Sequence, residues 1–354
     1  MILADVQLTR VLRAVGAGRG PLPPAPPSGR YVVPGPDGAA PDVRRLARRA
    51  GHPEQVADRL VDALATLRPW ERAHVLDPLR RAAPDRSQET GTPGDGSPTA
   101  GPDTRFGEPL VLGSARAVQV DATTCGSAVL AVLAAAGDPV VGLWLVAGTD
   151  VSRGASAHVV TAGEADASAR ELETSSGRFA ALQRLLQART AHAALGPLPW
   201  PTGLGTPPWT AARDARYADV RYTHRIVPGN GATDRVLASA LRSAAAGVPV
   251  PLYSGGDLGT GWSTAVPRHV VLLAGVSAPA DPQEEAVAPF GGRWCSVYEP
   301  STGTMHRLRV ADLLAGVGED GEPGKGVRRA LGGWSHVTWA VLPAGRAGGS
   351  RRVG

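Results

Sequence analysis

The sequence predicts an α+β fold in which one apolar helix packs on an antiparallel sheet, with a small helical module ahead of it. Three features predict it: an alanine-rich apolar run from Cys125 to Gly137, several β-branched and aromatic segments toward the C-terminus, and an amphipathic stretch between residues 41 and 84.

Residues 20 to 40 are rich in Pro and Gly and read as a linker. The stretch "PDVRRLARRAGHPEQVADRLVDALATLRPWERAHVLDPLRRAAP" then places Val56, Leu60, Leu64 and Leu67 at helical spacing, with Arg and Asp opposite. Residues 1–84 are therefore expected to form a helical module suited to a protein partner. The run "DRSQETGTPGDGSPTAGPD" has too little apolar surface to fold, so residues 85–104 are expected to be a disordered linker. Residues 105–342 should form the main domain, and residues 343–354 a flexible tail.

Within the main domain, "SARELETSSGRFAALQRLLQARTAHAAL" reads as a helix divided at Gly177. "GPLPWPTGLGTPPWTAARDARY" carries too much proline for regular structure. The helix "DRVLASALRSAAAG" can be capped by Asn230, Thr233 or Asp234 and should stop at Gly247. Strands are expected in "VPVPLYSGG", "PRHVVLLAGV", "RWCSVYEPSTG" and "WSHVTWAVLP".

Composition narrows the function. The 354 residues carry a net charge of +5, but the positive charge is almost all Arg (Lys325 is the only Lys) and is scattered among acids, so no nucleic-acid partner is expected. Asp5 and several Arg interrupt the N-terminal apolar residues, which argues against a secretory signal and for a cytoplasmic location. The most apolar stretch, Ala128 to Ala147, is broken by Gly137, Asp138 and Pro139, so no membrane span is expected. Two cysteines make no disulfide framework, and no His/Cys cluster has metal-ligand spacing, so neither a metal nor a cofactor is expected. The loop "SGGDLGTGW" does not open a helix and is read as a flexible loop beside a cleft rather than a phosphate cradle. Trp200, Trp209 and Trp262 either line that cleft or sit in the core.

Cys125 opens the apolar helix, where unpaired N–H groups and the positive end of the helix dipole favour a thiolate. Asp121, Thr123 and Thr124 are cap candidates, and Gly126 and Ser127 leave room for a substrate carbonyl. Gln119 carries a side-chain amide that can join the Cys125 N–H in an oxyanion hole. His269 opens an apolar strand, a setting that suits a general base, and Glu299 ends the next strand before Pro300. If these strands pair antiparallel with His269 opposite Glu299, then Val271 faces Val297 and Leu273 faces Cys295, which assigns Cys295 to the core. His336 and His158 are the competing bases, but neither precedes a strand that ends in a carboxylate.

"Q119 VDATTC125 G126", "RH269VVLLAGV" and "VYE299P300STG", in this order, resemble the papain-like superfamily of cysteine peptidases, closest to the branch of bacteriocin-leader (double-glycine) peptidases. The resemblance spans roughly residues 105–342 but rests on these short motifs. It implies a papain-like fold and a peptide or protein substrate, with Cys125 as nucleophile, His269 as base, Glu299 as orienting residue and Gln119 as oxyanion donor. Glu299 stands where the family usually has Asp, so its contact with His269 should be rebuilt or bridged by water. Arg268 stands where the family usually has Gly, and the chain between the two strands is lengthened. Two other functions fit the same residues: an inactive papain-like scaffold, and an acyltransferase or transglutaminase-type enzyme.

Overall fold

In the computed structural model, residues 20–27, 29–35, 38–81, 107–152, 167–228, 234–255, 267–279, 290–315 and 324–346 are described. The segments read as the 85–104 linker, the glycine-rich loop with Trp262, His158, the residues 347–354 of the tail and most of the lengthened His–Glu connection lie outside them.

The architecture is α+β. Among the described residues an antiparallel sheet of seven strands runs in the spatial order β1-β8-β7-β6-β5-β9-β4. Its members are β1 (Glu108–Pro109), β4 (Val220–Ile226), β5 (Val250–Gly255), β6 (His269–Val276), β7 (Trp294–Glu299), β8 (Thr304–Arg309) and β9 (His336–Arg346). A separate hairpin joins β2 (Val111–Leu112) to β3 (Ala115–Arg116).

Three of these strands, the short β1, β4 and β8, go beyond the sequence expectation. β4 is an edge strand whose alternation is blurred, with Val220, Tyr222 and Ile226 inward and Thr223 to Arg225 half-buried. β8 returns from β7 through the tight turn after Glu299, with Thr304, His306 and Leu308 inward.

The apolar helix α4 (Cys125–Gly137) lies on one face of the sheet. Small and unbranched residues favour the helix, and its burial on nearly every side lets it do without a polar face. It stops because Pro139 cannot continue it. Asp138 instead caps α5 (Pro139–Ala147), accepting the Val140 N–H at 2.9 Å. The two helices diverge by 113°, and among the described residues no single helix is long and apolar enough to cross a membrane.

Farther on, the expected division of the following helix falls at Thr174. α6 (Ala169–Leu172) ends before it, and the Thr174 side chain caps α7 (Ser175–Ala191), so Gly177 lies inside the first turn. The proline-rich segment is not wholly irregular either. Pro208 occupies the first turn of α8 (Pro208–Asp214), where a missing N–H costs nothing. α9 (Arg235–Ala245) is capped by Asp234, which accepts from Val236 and Leu237.

The sheet separates two cores. Val270, Leu272, Ala274 and Tyr298 belong to the core on the side of α4 and α7, while Val271, Leu273, Cys295 and Val297 belong to the core on the other face, where α9 packs on β6. Each fully buried Leu or Val contributes about 1.5–3 kcal/mol, so these two layers dominate stability.

The N-terminal helices α1 (Ala40–Arg49), α2 (Glu54–Ala65) and α3 (Pro69–Leu76) bury Val56, Leu60 and Leu64 against Val140 and Leu143 of α5. The apolar stripe read from the sequence is thus spent within the chain. His52 fastens the junction, its Nε2 lying 2.8 Å from the Asp138 carboxylate that caps α5. His52→Ala leaves that buried carboxylate without its partner. A loss of about 3 kcal/mol in urea unfolding is expected, with Cys125 reactivity unchanged.

Candidate active site

Cys125 occupies the first position of α4 and is 4% exposed. The neighbours expected to cap the helix do not do so. Asp121 accepts the Thr123 N–H and hydroxyl, each at 2.7 Å, and Thr124 Oγ1 exchanges bonds with the Asp121 main chain. The Thr123 hydroxyl, first among these bonds, holds the Asp121 carboxyl below its usual range. With no side chain on its N-terminal N–H groups, α4 presents its positive end at Cys125. Gly126 is required there by a close approach, since a Cβ at this position would lie 2.6 Å from Cβ of Thr206.

His269 Nε2 lies 2.8 Å from Glu299 Oε1, and the imidazole also interacts with the Cys125 side chain. With Nε2 committed to Glu299, Nδ1 is the nitrogen left for the sulfur. The strand register differs from the expected one by two residues. Leu273 lies opposite Val297 and Leu272 opposite Tyr298, with a bulge before Gly275. A shift of two preserves faces, so Val271, Leu273, Val297 and Cys295 still share one core, but it puts His269 and Glu299 on a diagonal. The extra methylene of Glu299 spans that diagonal directly, and no water bridge is needed.

Glu299 is 1% exposed and fully bonded. Oε1 also accepts the Ser301 N–H at 2.7 Å, and Oε2 accepts the Thr302 N–H at 2.9 Å and its hydroxyl at 2.7 Å. Burial alone raises the carboxyl, but the bonds from His269, Ser301 and Thr302 outweigh it and hold Glu299 at about 2. Burial likewise pushes the His269 imidazolium down. Its interactions with the Cys125 and Glu299 side chains outweigh that and raise it to about 9.

Gly332 was not singled out by sequence reasoning, although "ALGGW" carries the signature of a helix stop. It follows α11 (Lys325–Ala330), after α10 (Val310–Ala315), and has φ +67°. A Cβ there would lie 2.2 Å from His269 Cδ2 and 2.6 Å from Nε2. Gly332→Ala therefore pushes the ring off Glu299. Acylation of Cys125 by an activated ester is expected to fall about tenfold or more, with a loss of only about 1 kcal/mol in thermal unfolding.

Gln119 lies beside the same turn, its N–H donating to Pro300 O at 2.9 Å. Its side-chain Nε2 donates to Asp121 O at 2.7 Å, which leaves one N–H, and its Oε1 is buried without a hydrogen-bond partner among the described residues. Gln183 and Gln187 of α7, unforeseen in the sequence, reach this loop. Their spacing of one helical turn inside "FAALQRLLQ" was the available signal.

Cys295 is 1% exposed, and burial, followed by the charge of Asp312, pushes its thiol up to about 12. His336 opens β9 opposite Gly255. Trp200 and Trp209 pack edge to face at 5.4 Å, and Trp209 donates to Ala194 O. Among the described residues no group of three or more His, Cys, Asp or Glu side chains stands together to hold a metal ion. Compared with known protein families, with curated proteins and with solved structures, the chain matches none.

Proposed function

We propose that the protein is a papain-like, thiol-dependent hydrolase that cleaves a peptide or related amide. The observation that carries this reading is the line Cys125–His269–Glu299, with His269 beside the thiol and hydrogen-bonded to Glu299, at the uncapped N-terminus of a buried helix. Support also comes from the chain order, in which a Cys-bearing helix precedes a His-bearing strand and then a strand ending in a carboxylate.

With His269 raised to about 9, the imidazole carries its proton at neutral pH. It acts first as counter-charge to a negative sulfur and then as acid. Sγ of Cys125 adds to the substrate carbonyl, and the developing oxyanion is met by the helix N-terminal N–H and the remaining N–H of Gln119. The C–N bond breaks as His269 gives its proton to the leaving amine. The now neutral His269 takes a proton from water, hydroxide adds to the thioester, and the acid leaves with Cys125 restored. Glu299 keeps the ring oriented throughout and balances its charge.

The test uses a mixture of quenched fluorogenic peptides, read together with trapping of a thioester at Cys125 by mass spectrometry. Cleavage with a Cys125 thioester supports hydrolysis. Folded protein that yields neither points to an inactive scaffold, and transfer of the acyl group to an added amine in preference to water points to an acyltransferase.

A further inference from the structure

Gln183 is fully buried on α7, and both ends of its amide go to main-chain groups that bracket Gln119. Its Nε2 donates to Val118 O at 3.2 Å, and its Oε1 accepts the Val120 N–H at 3.0 Å. One turn later, Gln187 Nε2 donates to Thr123 Oγ1 at 2.9 Å. From the sheet side, Pro300 O holds the Gln119 N–H, so the short segment from Val118 to Val120 is tied from two directions.

We infer that Gln183 is a positioning residue that fixes Gln119 as the oxyanion donor. This rests on the reading of Cys125 as nucleophile. Burying a primary amide is costly unless all its groups are bonded, and a site that needed only volume would be filled by Leu or Met. Here the amide reads one carbonyl and one N–H two residues apart, which sets the height and the rotation of the residue between them. A donor must be in place before the oxygen becomes negative, because reorganising it during the reaction gives up most of its effect.

Two reactions of Cys125 separate this role from simple support. With iodoacetamide, Sγ displaces iodide and no carbonyl oxygen gains charge. With p-nitrophenyl acetate, Sγ adds to the carbonyl, the oxygen becomes an alkoxide, and collapse expels p-nitrophenolate to leave a thioester. Only the second reaction needs Gln119.

Gln183→Met is expected to slow acylation about tenfold or more while alkylation stays within about twofold. In a Gln119→Ala background it should cause no further loss of acylation. Gln183→Glu keeps the acceptor for Val120 but loses the donor to Val118, so it tests the same split should the Met variant fail to fold. Acylation and alkylation falling together, or a loss that adds to that of Gln119→Ala, overturns the inference. A wild-type protein whose Cys125 reacts with neither reagent instead overturns the nucleophile reading beneath it.

Discussion

Cys125→Ala is expected to abolish labelling by an electrophilic thiol probe at neutral pH, and Cys295→Ala to leave it unchanged. The two thiols are comparably buried, so exposure alone does not separate them. Charge does. Cys295 sits among Val271, Leu273 and Val297 with its thiol pushed up to about 12, so it is neutral at any physiological pH. Cys125 faces an imidazole that is still protonated at pH 7 and stands on the positive end of α4. The thiolate is the attacking species, so a negative sulfur must have a partner, and only Cys125 has one. Peptide cleavage should fall by about a thousandfold or more in Cys125→Ala. Intact-mass measurement after labelling decides the matter: label retained in the Cys125→Ala protein and lost from Cys295→Ala removes the assignment.

What the sequence carried, and what it did not, follows from how local each signal is. Cys125 at a helix start, His269 at the head of a strand and Glu299 before a proline turn are marked by their immediate neighbours. Pattern alone therefore placed them. Apolar alternation leaves the strand register two residues out because it repeats every two residues, so Val271 opposite Val297 and Leu273 opposite Val297 satisfy it equally well. Gly332 and Gln183 matter through contacts with residues 63 to 65 positions away, which no local pattern encodes. The caps failed for another reason. Asp121, Thr123 and Thr124 are all good capping residues, but they satisfy one another and leave the end of α4 open. A local rule broken at Cys125 is the kind of departure that functional sites show.

Glu299→Gln should have the second large effect, on activity and on the pH dependence of stability. The carboxylate accepts bonds from four donors: His269 Nε2, the Ser301 N–H, the Thr302 N–H and the Thr302 hydroxyl. A Gln side chain offers one oxygen, and its NH2 confronts donors on the other side. If that NH2 faces His269, the imidazole loses its acceptor and its counter-charge. The acid that protonates the leaving amine is then weakened, and cleavage should fall about a hundredfold or more.

Stability follows from the direction of each shift. Glu299 is lowered from 4.5 to about 2, so its contribution is complete above pH 4.5 and is lost as the pH falls through about 2. His269 is raised from 6.5 to about 9, so its contribution is complete below pH 6.5 and is lost as the pH rises through about 9. Each is worth about 3 kcal/mol, and because both include the same His–Glu contact they are not summed. The wild type should therefore exceed Glu299→Gln most between pH 4.5 and 6.5 in urea unfolding, with the difference narrowing toward pH 9 and toward pH 2. A difference that stays level across that range would mean that the folded protein holds no imidazolium–carboxylate pair, and His269 would then have to act as a neutral base.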